Sequence, residues 1–173
     1  CDATSGTVQA IAGQVDAAET PTSVSFQLYR TTTNVIIAQV LVGSTSSLIT
    51  GSTPFTNNVN IGWHHLAVIR SGNTMTMYID GTQDGAAVSV VGTINNSTAA
   101  FSVGRLGERT SNTWTGWLDE FRLSVGIARW TANFTPPTSA YTNPGDPDYV
   151  EITQEVILAN DTPLLFRFTP EQY

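Results

Sequence analysis

The feature that most constrains this chain is a two-residue alternation that recurs along it, broken at intervals by turn-forming residues. It is clearest at Thr74, Thr76 and Tyr78, which alternate with Met75, Met77 and Ile79. A period of two marks a half-buried strand, because successive side chains point to opposite faces of a sheet. Upstream, His65 to Arg70 is a second β-type run, and Ser71-Gly72-Asn73 between the two supplies residues that tolerate positive φ. Asp80-Gly81 closes the second run with another strong turn signal. The stretch from Gly62 to Gly81 therefore predicts a hairpin. The adjacent His64 and His65, beside Trp63, invite a catalytic reading. Neighbours in a strand face opposite ways, however, so both rings cannot serve one site.

Similar runs recur at Thr7 to Gly13, Ser23 to Arg30, Asn34 to Val42, Ser47 to Thr50, Ala86 to Val91, Ala99 to Val103 and Trp114 to Ser124. Short, regularly spaced strands without long amphipathic helical windows predict an all-β, two-sheet antiparallel sandwich. Gly126 to Ala132 is the one helix candidate, about two turns long. The Pro-, Thr- and Asp-rich stretch from Asn133 to Tyr149 reads as irregular. Strand character resumes from Tyr149 to Phe168, with Asn160-Asp161-Thr162-Pro163 as its turn. A length of 173 residues at 40% apolar content fits one domain around one core.

Charged residues are only 12% of the chain, lysine is absent, and the net charge is -7. That balance opposes a phosphate backbone or an anionic membrane surface, so neither nucleic acid nor membrane insertion is expected. No apolar run is long enough to cross a bilayer as a helix, and no signal-peptide pattern is visible. The single cysteine, Cys1, cannot form an internal disulfide, and no Cys/His spacing matches a zinc site. A first-position cysteine is also what a lipidated lipoprotein or a processing site presents.

The wording "GWHHLAVIRSGNTMTMYIDG", then "FSVGR", then "GWLDEFRLSVGIARWTANFTPP", resembles the laminin G-like branch of the concanavalin A-like lectin/glucanase jelly rolls. It is nearest to the versions found in phage virion proteins and large bacterial surface proteins. The resemblance runs from about Ala10 to Tyr141 and implies a jelly-roll domain over residues 1–141, with residues 142–173 as an extension. Such domains open with a strand of the Phe-Thr-x-Glu-x-Trp kind, which has no counterpart here. The resemblance thus implies a jelly roll lacking its first strand, whose place the stretch from Tyr149 to Phe168 or a neighbouring chain would fill.

Glycan-hydrolysing relatives need two carboxylates on one face about 5 Å apart. Asp119 and Glu120 are consecutive, so a strand would turn them to opposite faces. The resemblance implies that Asp119 is structural, a buried acceptor of backbone N–H groups, with Glu120 a surface partner of Arg122. It likewise implies a packing role for His65. No Ser/His/Asp set and no Gly-rich phosphate cradle is present, so no enzymatic activity is expected. Relatives hold calcium with loop oxygens, and the oxygen-bearing candidates here are Asp80, Asp84, Glu108, Asp146 and Asp148. Sugar contact in such folds uses an aromatic ring flanked by polar groups, for which Trp114, Tyr141, Arg105 and Arg109 are the candidates, while Trp63 and Trp130 read as packing and Trp117 as the start of a core strand. The expected function is structural: a decoration, fibre or filament subunit of a virion or extracellular surface, partnered by other copies or other surface proteins. A glycan-binding attachment module ranks second, and a glycoside hydrolase a distant third.

Overall fold

The computed structural model describes residues 7–16, 20, 23–56, 62–107 and 112–139. Nine strands form there: β1 (Gln9–Val15), β2 (Val24–Arg30), β3 (Ile36–Val42), β4 (Thr45–Thr50), β5 (Leu66–Ser71), β6 (Thr74–Ile79), β7 (Thr82–Gln83), β8 (Val88–Ser89) and β9 (Phe101–Val103). Every pairing is antiparallel. One sheet has the order β4-β3-β2-β1-β9. In the other, β6 is central, with β5 on one side and β7 and β8 on the other. The described residues contain no helix.

The alternation read from the sequence is what joins the two sheets. Met75, Met77 and Ile79 of β6 meet Ile36, Ala38 and Val40 of β3 and Ile49 of β4 in one buried cluster, closed by Ile11, Phe55 and Val90. The side chains between them on β3 and β6 face outward. On the outer face of the five-stranded sheet, Ala10, Val15, Val24 and Leu41 form a second buried cluster beneath Leu106. On the outer face of the other sheet, Tyr78 is covered by Phe134, the rings 5.5 Å apart.

Strand ends shift from the expected positions by up to two residues, and β7 was not anticipated because two residues cannot display a period. Two expectations are overturned. Residues 114–124 form no strand: they find no ladder partner among the described residues, and Trp117, expected in the core, is 84% exposed. Residues 126–132 form no helix. Gly126 is left-handed at φ 81°, and Trp130 stacks flat on Phe134 with centroids 4.0 Å apart, an arrangement that an extended, irregular backbone provides here.

The tightest backbone approach is at Gly81. Its φ is 77°, its carbonyl accepts the N–H of Phe134 at 2.9 Å, and a Cβ there would collide with the Phe134 carbonyl oxygen. Gly81→Ala is expected to cost about 2 kcal/mol or more, from left-handed strain plus the clash. Gly43 has a φ of 57° but open space around it, so Gly43→Ala should cost only about 1 kcal/mol. Denaturant unfolding of the two variants checks the difference.

Candidate functional site

Polar side chains converge at the β6–β7 end of the smaller sheet. Asp80 and Gly81 are the two residues of the turn between paired Ile79 and Thr82, both with positive φ, as a type I′ hairpin requires. From that turn, Asp80 reaches back to the residues before β5. Its Oδ1 accepts the His65 backbone N–H at 2.8 Å, its Oδ2 pairs with His64 Nδ1 at 2.7 Å, and its own N–H donates to the His65 carbonyl at 2.8 Å. The two histidines diverge, as the alternation requires. His64 sets its edge against Phe55 of the core, 5.1 Å between centroids. His65 turns outward, edge-on to both Trp130 and Phe134 at 5.5 Å. Burial pushes the His65 ring below its ordinary pKa of 6.5, partly offset by the charge of Asp80.

Four residues further on, Asp84 is 4% exposed. Its Oδ1 accepts from Ser52 Oγ at 2.6 Å, Thr53 Oγ1 at 2.9 Å and the Ser52 and Thr53 N–H groups at 3.1 Å, and Oδ2 shares the Ser52 N–H at 3.1 Å. Ser52 and Thr53 follow β4, so this carboxylate clamps one sheet to the other. Asp80 and Asp84 were calcium candidates. Asp84 is ringed by N–H and O–H donors, which repel a cation, the oxygens of Asp80 are engaged by His64 and His65, and the described residues hold no group of three or more metal-ligating side chains. Glu108, Asp146 and Asp148 lie outside the described residues.

Trp114 is held by its backbone N–H on the Gly104 carbonyl at 2.8 Å, which brings it beside Arg105. Its ring packs on the central core and lies under the guanidinium of Arg30, 5.9 Å away, rather than opening to solvent. Arg30 is wholly buried and donates to the Phe55 carbonyl at 3.3 Å. Arg105 is exposed. Arg109 and Tyr141 lie outside the described residues. The exposed indoles are instead Trp117 at 84% and Trp63 at 68%, both expected to pack. Loop residues around Trp117, with Gly116 at φ 138°, carry the signal that could have identified it.

Asp119 also departs from expectation. It is exposed rather than buried, and its Oδ1 accepts the N–H of Glu120, its chain neighbour, at 2.9 Å. Glu120 has a φ of 50°, so this is a local bend, and the alternation that separated the two carboxylates does not apply to it. Both are exposed to solvent.

Residues 2–126 match the Laminin_G_3 family model, described as concanavalin A-like lectin/glucanases. The chain belongs to the concanavalin A-like lectin/glucanase superfamily. The two antiparallel sheets of this lectin-like sandwich agree with that assignment. Among solved structures, an S-layer domain-containing protein (residues 221–444) from Clostridium thermocellum is similar at 18% identity, with a TM-score of 0.32. The match covers 78% of this chain and 62% of that one. No curated protein matches.

Asp84→Ala would leave two amides and two hydroxyls of the lectin-like sandwich without their acceptor, and is expected to lower stability by about 3 kcal/mol or more. Asp84→Asn should lose less, and a chelator should leave the wild-type melting temperature unchanged. For His65 the sign follows from its depressed folded-state value. The unfolded chain takes up the proton first, so the contribution of the neutral ring is complete above pH 6.5 and declines as pH falls from there towards the folded-state pKa. His65→Phe should flatten stability against pH over that window, as pH-stepped denaturant melts can show.

Proposed function

We propose that this domain is a non-catalytic structural module of an extracellular surface or virion, a decoration, fibre or filament subunit that docks apolar surface onto neighbouring proteins. The observation that carries the reading is Trp117, a large aromatic that is 84% exposed, in a stretch that also exposes Leu118, Val125 and Ile127. Tryptophan is among the side chains most enriched where interfaces draw their energy, so an indole this exposed favours a partner that covers it. A surface with no lysine and few charges adds little cost to burying such a face.

The same indoles favour a second reading, a glycan-binding attachment module, because an exposed ring can stack on the apolar face of a sugar. A hydrolase has no such support. Size-exclusion chromatography with light scattering is expected to show self-association, or co-migration with a particle or cell-wall fraction, that Trp117→Ser weakens roughly tenfold or more, the usual loss for a central interface tryptophan. A strict monomer with no such association would overturn the structural reading. Glycan-array binding that disappears in Trp117→Ser would favour the second.

A further inference from the structure

The long edges of the two sheets are not equally finished. β4, at the edge of the five-stranded sheet, carries Thr45, Ser46 and Ser47, and Ser47 Oγ bonds to the Ser89 carbonyl of the opposite sheet at 3.0 Å. β5, at the edge of the other sheet, reads Leu-Ala-Val-Ile-Arg-Ser and pairs only with β6 among the described residues. Proteins usually blunt such an edge with a proline, a bulge or an outward charge. β5 has none of these: its pairing with β6 is regular, and Arg70 folds back to donate to the carbonyls of Gly72, Val90 and Gly92.

The side chains also record an unfilled place. Val68 stands directly opposite Met77 and shares its core-facing side, yet Met77 is 0% exposed and Val68 is 37% exposed. Among the described residues, the core-facing side of β5 is therefore left uncovered at Val68. Late in its course the chain crosses the outer face of this sheet, from His65 at the start of β5 to the β6–β7 turn. Trp130 and Phe134 pack on His65 immediately before β5, Phe134 bonds to Gly81, and Asn133 Oδ1 accepts the Gln83 N–H at 3.0 Å.

Residues 140–173, which include the stretch from Tyr149 to Phe168 expected to have strand character, follow in sequence and lie outside the described residues. In them, Val150, Ile152, Val156 and Leu158 fall on one side of a two-residue alternation and Glu151, Thr153 and Glu155 on the other, without glycine or proline. Gln154 and Ile157 are the two exceptions. One apolar and one polar face is what an edge position on a sandwich takes. The link over residues 140–149 can span up to about 33 Å, against roughly 20 Å for the length of β5. We propose that residues 149–158 of the same chain add as a strand to the open edge of β5, carrying their apolar side over Val68 and Leu66 into the core.

Hydrogen exchange followed by NMR on the full chain tests this. The β5 amides that do not face β6 and the amides of residues 149–158 should both exchange at least about tenfold slower than in an unstructured peptide. Ile152→Asp with Val156→Asp should release both sets together, whereas Glu151→Lys, on the polar face, should leave both protected. Unprotected exchange across 149–158 in the wild type would overturn the proposal, as would a double variant in which β5 keeps its protection. Protection that vanishes on dilution would place the segment of a second copy on the edge and overturn pairing within one chain. The inference does not rest on the assembly reading, since a protein monomeric in light scattering but protected at both segments would retain this one and remove that one.

Discussion

The buried carboxylate of Asp84 is the constraint on which the rest of this sandwich depends. Taking an ionised group out of water costs several kcal/mol unless hydrogen bonds replace its hydration shell. Ser52 and Thr53 do so with two hydroxyls and two amides. Because those donors follow β4 and the acceptor follows β7, the bond set fixes how the two sheets stand at this end. The Asp84 backbone N–H, on the Met77 carbonyl at 2.9 Å, ties the same point to the central strand. The core of Met75, Met77, Ile36, Ala38 and Ile49 is non-directional and would tolerate sliding. The Asp84 clamp is directional and does not.

Alternation made the fold legible, and it failed where a ladder partner was needed. β6 could be placed from sequence because its apolar and polar residues alternate without interruption, which fixes the buried face whatever lies opposite, whereas β3 is apolar at every position but Gln39 and showed its strand character without showing its buried face. Trp117 to Ser124 alternates nearly as well, but a pattern states only which side would be buried and not whether a second strand is there to bond to. Left without one, Trp117 and Leu118 stand in solvent and Asp119 bonds to its own neighbour. The part of Asp84 was illegible for a related reason. An aspartate beside a glycine reads as a turn or a cation ligand, and nothing local indicates that a Ser-Thr pair thirty-two residues earlier will supply its donors.

The aromatic side chains divide by the element that holds them. His65, Trp130, Phe134 and Tyr78 interlock edge to face or flat, so the irregular stretch after residue 126 is fastened to the smaller sheet by ring contacts without a ladder. Trp114 is fastened by its backbone and by the guanidinium of Arg30. Trp117 and Trp63 have no such holder, and they are what this protein presents to its surroundings.

Asp80 has a consequence beyond its own turn. Its two oxygens grip consecutive residues, the side chain of His64 and the backbone of His65, from a position fixed by the β6–β7 turn. A slip of β5 along β6 by one residue would exchange the two rings, swinging an imidazole from the aromatic outer face into the hydrocarbon interior and presenting the carboxylate with a mismatched pair. The hairpin therefore carries its own alignment gauge, a single carboxylate that accepts one phase of the pleat and rejects the next.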